Sequence, residues 1–287
     1  MTVTLERESS PSAAQASTEQ QASGSSFYAA MRLLPSAERS AMFAIYAFCR
    51  AVDDIADDGE DTRAERAARL TAWRRDLDAL YAGQAASLGA FLAPHVRAYG
   101  LRKDDFLAVI DGMEMDVDRD IRGPDLATLD LYCERVASAV GRLSIKVFGM
   151  DEEPGFALAH SLGRALQLTN ILRDLDEDAE IGRLYLPREY LDDTGIAASD
   201  PVFAIAQPAI DRVCRAVATL AHDHYRAAAD VLSRHPRGQL RAPRLMGAVY
   251  SVILSKMEKQ GWAPPRARAR IGKAELLMIV LRHGLGR

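Results

Sequence analysis

Apolar residues recur at helical spacing along almost the whole chain, from Ser25 to its end. Leu70, Trp73, Leu77 and Leu80, for example, lie three or four positions apart, which places them on one face of a helix. No window shows β-branched residues in strict alternation, so we expect almost no β-sheet. The pattern predicts an all-α protein built from many helices.

Local signals mark where several of these helices begin and end. Thr62 and Glu65 form the pattern of a capping box at a helix start, and Gly83 is placed to stop the same helix. Ser36, directly after Pro35, is the expected N-cap of the preceding helix. Glycines and prolines divide the remainder into further predicted helical segments at 84–99, 103–121, 125–148, 155–179, 201–233, 239–260 and 273–285.

The connections between these segments are short, and no linker rich in Pro, Gly or Ser divides them. We therefore expect residues 23–287 to form a single all-α domain around one core. Residues 1–22 are rich in Ser, Gln, Ala and Glu and offer little to bury, so we expect a disordered tail there. This stretch also lacks the apolar core of a secretion signal.

Composition and charge argue against several classes of protein. Of 287 residues, 48% are hydrophobic and 26% are charged, a mixture typical of globular proteins. The formal net charge of -4 argues against a general nucleic-acid binder. No run of about 18 apolar residues is present, so we expect no transmembrane helix. Cys49, Cys133 and Cys214 are too widely spaced for a disulfide framework or a zinc site, which favours a reducing compartment such as the cytoplasm.

The first of two acidic motifs ends the helix that begins near Ser36. Asp53 and Asp57 lie four positions apart, so their carboxylates stand on the same helix face. Like charges at this spacing destabilise an isolated helix, and a divalent cation would compensate for their repulsion. The alternative for this motif alone is a solvated, acidic helix end.

The second acidic motif lies much later in the chain. Asn170, Asp174 and Asp178 are spaced at i, i+4 and i+8, which predicts one stripe of oxygen-bearing side chains along a helix. Apolar residues flank the stripe, so we expect it to line a cavity rather than to face bulk water. Arg173 and Arg183 lie nearby as donors to phosphate oxygens. An exposed charged helix is again the alternative.

Two such motifs on separate helices are more informative than either motif alone. If they face each other across a cavity, they hold several Mg²⁺ ions and the diphosphate groups of two substrates. A diphosphate becomes a good leaving group when its charge is neutralised. The pattern therefore indicates Lewis-acid catalysis of C–O bond ionisation.

The chain from about Ser25 to Pro265 resembles the squalene/phytoene synthase family, the head-to-head prenyl synthases. The segments that carry the resemblance are 25–28, 50–57, 132–141, 170–178 and 182–187. Three runs are most similar to family members whose product is presqualene diphosphate, namely 111–116, 132–141 and 261–266.

The resemblance implies an isoprenoid synthase-type helical bundle around a central apolar cavity. It implies that Mg²⁺ is bound by Asp53, Asp57, Asn170, Asp174 and Asp178. It implies that the substrate's diphosphate is bound by Ser25, Ser26, Arg50, Arg173 and Arg183. Tyr132 matches a family tyrosine at the reaction centre, where it acts with the four aspartates as a catalytic residue.

The resemblance also implies a substrate and a reaction. Two farnesyl diphosphate molecules would condense head to head: one ionises, the C2–C3 double bond of the other attacks C1 of the cation, and loss of a proton closes a cyclopropane ring. The proton acceptor would be either Tyr132 or the released diphosphate. Water has to be excluded, because it would quench the cation. The product would be presqualene diphosphate, for squalene and hopanoid synthesis, with Mg²⁺ as cofactor and without NADPH. Peripheral contact with the inner membrane face and the oligomeric state stay open.

Three further features have two interpretations each. The small residues at 136–141 indicate either tight helix–helix packing or room for a prenyl tail. The aromatic residues Phe27, Phe43, Tyr46 and Phe48 are candidates for the cavity wall, although their helical spacing makes most of them ordinary core residues. The basic stretch at 266–270 favours a solvated surface loop over a patch that binds phosphate or an anionic membrane.

Other functions stay open beside this one. Squalene, hydroxysqualene and phytoene synthases of the same family are the nearest. Head-to-tail prenyltransferases and terpene cyclases, which also use acidic motifs and Mg²⁺, are more distant. A non-catalytic helical protein that has kept the fold is a different class. We would expect such a protein to have lost one or more acidic residues, whereas both acidic motifs are complete here.

Overall fold

The computed structural model of the chain describes residues 31–32, 34–119, 121–235 and 240–284. Within these ranges there is no β-strand, only an isolated bridge between Arg122 and Leu184. The prediction of an all-α fold is confirmed. The predicted tail at 1–22 and the residues Ser25, Ser26 and Phe27 lie outside the described residues.

The first half of the chain contains, in order, α1 (Ser36–Ala56), α2 (Arg63–Tyr81), α3 (Ala93–Tyr99), α4 (Lys103–Asp118), α5 (Leu126–Cys133) and α6 (Ala139–Val147). The second half contains α7 (Glu152–Arg173), α8 (Leu175–Glu180), α9 (Arg188–Asp192), α10 (Pro201–Ile205), α11 (Ile210–Arg234), α12 (Arg241–Gln260) and α13 (Lys273–Gly284). A 3₁₀ helix, Ala90–Leu92, precedes α3, and a π-helical turn, Glu134–Ser138, joins α5 to α6.

The helix starts follow the predicted capping chemistry in one case and depart from it in another. At α2 the capping box is present: the Thr62 side chain accepts from the backbone N–H of Glu65, and the Thr62 N–H donates to Glu65 at 2.8 Å. Gly83, with φ of 72°, follows the end of α2 as predicted. Ser36 is not the N-cap of α1. It is already the first helical residue, whereas a cap needs extended dihedrals, which Pro35 has.

Two predicted segments have different boundaries in the structure, and one helix was not predicted. The helix expected at 84–99 begins only at Ala90, because the Asp76 carboxylate accepts the backbone N–H groups of Ser87 and Gly89 and holds a loop. The segment expected at 201–233 is two helices, separated near Pro208, whose missing N–H does not support a continuous helix. Helix α9 was not predicted, since its five residues are too few to show periodicity.

The buried side chains form one hydrophobic cluster that extends from Met31 to Ile279. Helix α7 lies at its centre, with α6, α11, α12 and the π-helical turn packed against it. Its buried residues cover most of its circumference, as expected for a helix surrounded by others. Helices α1 and α4 close the opposite side by packing on each other and on α6.

Candidate active site

An apolar cavity of about 300 Å³ lies among α1, α4, α7 and the Tyr132–Phe148 part of the chain. Asp53 and Asn170 line it near the ends of α1 and α7, and Met42 and Leu158 line it near the starts of the same helices. These pairs are 11 and 12 residues apart, which is roughly 16–18 Å at 1.5 Å per residue. The cavity is therefore a tunnel with a polar mouth and an apolar interior.

The run of small residues at 136–141 serves both of its expected roles. A Cβ on Gly141 would lie 2.9 Å from the Ala159 side chain, and one on Gly163 would lie 2.8 Å from the backbone of Ser138. These glycines therefore allow α6 and the π-helical turn to approach α7 closely. Four members of the run also line the tunnel, namely Val136, Ala137, Val140 and Gly141.

Of the described aromatic candidates for the tunnel wall, Tyr46 lines the cavity and Phe43 and Phe48 do not. Phe48 is fully buried and packs edge-on against Trp73 and Phe106, with ring centroids 5.4 and 5.0 Å away. Phe43 and Phe48 thus belong to the core, as expected for most of the candidates, and Tyr46 is a wall residue.

The first acidic motif lies at the end of α1, at the mouth of the tunnel. The Arg50 guanidinium contacts Asp53 at 3.0 Å and Asp54 at 2.7 Å, and half of the Arg50 side chain is exposed. Burial, and next the charge of Asp57, raise the pKa of Asp53 to about 7. The Asp53 side chain is nevertheless 41% exposed, so an ion can reach it.

The second acidic motif departs from the predicted single stripe. Helix α7 ends at Arg173, and Asp174 forms a junction after which Asp178 lies on the short helix α8. Backbone hydrogen bonds still link the three ligand candidates, from Asp174 to Asn170 at 2.9 Å and from Asp178 to Asp174 at 2.8 Å. Burial, and next the charge of Asp174, raise the pKa of Asp178 to about 8. Of the three, Asn170 lines the tunnel.

Arg183 joins the two motifs. Its guanidinium forms an ion pair with Asp57 and donates to the backbone carbonyl of Ala56 at 2.9 Å, and its side chain is 7% exposed. The charge of Asp57 also contributes to the raised pKa of Asp178. Asp57 and Asp178, one from each motif, are therefore close enough for the charge of one to influence the pKa of the other.

The donor atoms at this mouth fit a hard divalent cation. The Oδ1 atom of Asn170 is buried and has no hydrogen-bond partner in the described part of the chain. No three Asp, Glu, His or Cys side chains in that part lie close enough together to hold an ion by themselves. Mg²⁺ typically takes one or two carboxylates and completes its shell with substrate phosphates, so an all-oxygen set of this kind suits it.

A buried cluster beside the tunnel was not found from the sequence. Asp116 is 2% exposed and accepts hydrogen bonds from the hydroxyls of Tyr132 at 3.1 Å and Tyr185 at 2.7 Å. The two rings stack with centroids 4.8 Å apart. Burial raises the pKa of Asp116 to about 6, against the opposing charge of Arg183, and raises the pKa of Tyr132 well above its usual value. Of the cluster, Tyr132 faces the tunnel.

The basic stretch at 266–270 is not the solvated loop that we expected. Arg266 forms a two-point ion pair with Asp176 at 2.6 and 3.0 Å, and its side chain is 9% exposed. Arg268 contacts Asp174 at 2.6 Å, and Arg173 forms a second, two-point pair with the same carboxylate. The stretch therefore packs on the second acidic motif, which no local sequence signal indicates.

Comparison with known proteins identifies the family of the chain and several similar proteins. The family model for squalene/phytoene synthase matches residues 20–275. A presqualene diphosphate synthase of Zymomonas mobilis is 58% identical over 91% of this chain and 89% of its own length, and one of Rhodopseudomonas palustris is 54% identical over 91% and 94%. The crystal structure of a dehydrosqualene synthase in complex with a ligand has a TM-score of 0.81 at 25% identity, covering 94% of this chain and 95% of that one. The chain thus belongs to the squalene/phytoene synthase family, and it is a prenyltransferase with the all-α isoprenoid synthase fold.

Proposed function

We propose that this enzyme joins two farnesyl diphosphate molecules head to head to form presqualene diphosphate. The observation that carries the proposal is an apolar tunnel whose mouth presents Arg50, Asp53 and Asn170. The tunnel suits a prenyl tail, and the oxygen ligands and guanidinium suit its diphosphate. The choice of product within the family rests on the two relatives named above.

The carboxylates and the amide at the mouth would hold Mg²⁺ together with oxygens of the diphosphate, the set being Asp53, Asp57, Asn170, Asp174 and Asp178. When bound, the cation supplies Lewis-acid neutralisation of the leaving diphosphate. Arg50 is half exposed, which allows it to turn from its carboxylates to a phosphate oxygen. Arg173 and Arg183 are held against Asp174 and Asp57, so they orient these ligands besides attracting phosphate. The roles of Ser25 and Ser26 rest on the family resemblance alone.

In the reaction, the C1–O bond of the donor breaks and its electron pair leaves with the diphosphate. The C2–C3 double bond of the acceptor then bonds to C1 of the allylic cation, inside a tunnel whose apolar wall excludes water. Loss of a proton closes the cyclopropane ring. We assign the Tyr132 hydroxyl as the acceptor of this proton, because Tyr132 lines the tunnel and its hydroxyl can pass its own hydrogen to Asp116, to which it donates at 3.1 Å. The raised pKa of Asp116 makes this carboxylate a better proton acceptor than an ordinary one.

The proposal is tested by product analysis with the purified enzyme, farnesyl diphosphate and Mg²⁺, with and without NADPH. After dephosphorylation, mass spectrometry should identify presqualene alcohol in both reactions, in equal amounts, and none in excess EDTA. Squalene that appears only with NADPH would instead make the protein a squalene synthase. Hydroxysqualene as the product, or phytoene from geranylgeranyl diphosphate, would assign it to the other branches of the family.

A further inference from the structure

Helix α13 carries an exposed apolar stripe. Leu277, Met278 and Leu281 are 58%, 64% and 52% exposed and lie on one side of the helix. The opposite side packs against α12, where Ile279 is 8% exposed. The helix is therefore held to the body of the protein by one face and presents a second apolar face outward.

Cations border this stripe. At about 100° per residue, Lys273 and Arg282 lie on its two flanks, and Arg270 precedes the helix. These three side chains are exposed, and none of them forms an ion pair with a carboxylate within the described residues. The segment 266–284 contains five Arg and Lys residues against one acidic residue, Glu275, whereas the whole chain has a net charge of -4. Glu275 is itself paired with Lys256.

We propose that α13 is a membrane-docking helix that binds the surface of a bilayer containing anionic phospholipids. Apolar side chains on one face with cations along its borders are the pattern of a helix that lies in the plane of the interface. The cations meet lipid headgroups, and Leu277, Met278 and Leu281 enter the acyl boundary. The helices described here include none with the length and hydrophobicity needed to cross a bilayer, so the contact is peripheral.

The position of α13 near the tunnel mouth suggests what membrane docking does for the enzyme, and this step rests on the proposed function. Arg268 contacts Asp174 at the tunnel mouth, and α13 begins five residues later, at Lys273. At most about 3.5 Å of chain per residue separates them, so the start of α13 lies within roughly 18 Å of Arg268. Docking would hold the site near the membrane in which prenyl tails dissolve.

The test is flotation of the purified enzyme with vesicles of phosphatidylcholine, with and without phosphatidylglycerol. We expect binding to the anionic vesicles that weakens with added salt. Leu277→Gln/Met278→Gln/Leu281→Gln and, separately, Lys273→Gln/Arg282→Gln should each lower the bound-to-free ratio by about tenfold or more. The matched control is Val202→Gln/Phe203→Gln, which changes an equally exposed apolar pair on α10.

Unchanged vesicle binding by the triple variant, or loss of binding in the α10 control, would overturn the proposal. So would a triple variant whose only change is dissociation of a dimer in light scattering, because the stripe would then be a contact between two copies. Activity on detergent-dispersed farnesyl diphosphate separates this proposal from the reaction. We expect the triple variant to retain that activity. If the enzyme makes another product but still binds vesicles, the docking proposal is supported and only the proposed reaction is contradicted.

Discussion

At the scale of single residues, Asp178 is favoured in its protonated form when no cation is present. Its pKa is raised from 3.8 to about 8, first by burial and then by Asp174. Between these two values the folded chain binds more protons than the unfolded chain, so the free energy of unfolding falls as pH rises through this range. The loss is complete above about pH 8 and absent below about pH 4.

Asp178→Asn, which keeps the side chain neutral, should therefore raise the melting temperature of the metal-free protein at pH 8. An increase of about 2–4 °C is expected, shrinking toward zero at pH 5. Differential scanning calorimetry at both pH values measures it. Asp230→Asn, at an exposed site on α11, is the control and should show no such pH-dependent gain. A gain of equal size at pH 5 and pH 8 would contradict the linkage.

Arg50 provides a second test at this scale. It lies at the tunnel mouth and contacts two carboxylates, but half of its side chain is exposed. A planar guanidinium binds phosphate through two parallel hydrogen bonds, which an ammonium group cannot reproduce. Arg50→Lys should therefore lower kcat/KM by about tenfold or more, while the melting temperature stays within a degree or two of wild type. Normal turnover would show that Arg50 serves only as an ion-pair partner of Asp53 and Asp54.

The proton path predicts a different kinetic signature. In Asp116→Asn the Tyr132 hydroxyl keeps a hydrogen-bond partner of similar size but loses a base. We expect kcat to fall by about 10²-fold or more with little change in KM, since tail and diphosphate binding are untouched. Tyr185→Phe, which removes the other donor to Asp116, is the matched control and should have the smaller effect. Wild-type kcat in Asp116→Asn would leave the released diphosphate as the proton acceptor.

Sequence spacing finds residues whose chemistry depends on a single helix. Asp53 with Asp57, and Asn170 with Asp174, could be predicted because a helix brings i and i+4 together. The Asp116–Tyr185 contact joins residues 69 positions apart, and no local pattern encodes it. Arg268 likewise reaches Asp174 only because the chain returns after α12.

At the scale of elements, the π-helical turn Glu134–Ser138 is held by Arg164 of α7. The guanidinium binds both oxygens of Asp130 at 2.6 and 2.9 Å, and it reaches Glu134 at 2.8 Å and Ser138 at 2.9 Å. It is 5% exposed. One side chain thus contacts the chain before the turn, at its start and at its end.

This contact sets which side chains face the tunnel. A π turn contains one residue more than an α turn, so returning it to α geometry would rotate Tyr132 relative to Val140 by about 100°. Arg164→Met removes the forked guanidinium group, and with it these hydrogen bonds, with little change in side-chain length. We expect more farnesol, the product of water attack on the cation, relative to presqualene diphosphate. Arg164→Lys keeps the charge without the fork and should lie between the two.

The control for Arg164 is Arg74→Met. Arg74 also binds two carboxylates, those of Asp111 and Glu114, but it joins α2 to α4. The Arg74→Met variant should be less stable than wild type, but its ratio of farnesol to condensed product should be unchanged. If Arg164→Met also leaves that ratio unchanged, the turn is not needed to position Tyr132.

The break between α7 and α8 shows why the end of a helix is harder to predict than the presence of the helix. No Gly or Pro lies between Asn170 and Asp178, so the sequence reads as one helix. In the structure the helix ends at Arg173, and Trp262 donates its ring N–H to the Leu172 carbonyl at 3.0 Å. A partner that satisfies a terminal carbonyl lets the helix stop without a glycine. That partner comes from 90 residues further along the chain.

At the scale of the whole molecule, the all-α fold was predictable because apolar periodicity is local, and the assembly of the helices was not. The acidic motifs near the tunnel mouth are held by contacts between distant parts of the chain, such as Arg183 with Asp57 and Arg268 with Asp174. These contacts pair cations with the carboxylates that would bind metal. The chain's own arginines thus partly offset the negative charge of these carboxylates, whereas burial and neighbouring carboxylates raise the pKa values of Asp53 and Asp178.

A ligand that replaces these pairs should stabilise the entire fold, because it links α1, α7 and α8 at once. Mg²⁺ with inorganic diphosphate should raise the melting temperature by about 5 °C or more at about a hundred times the dissociation constant. Mg²⁺ alone should do less, since no three carboxylates in the described residues form a complete site. Asp57→Asn removes one mouth carboxylate and should abolish most of the shift, whereas Asp230→Asn should keep it. Calorimetry of the three proteins measures this, and an equal shift in Asp57→Asn would place the ion elsewhere.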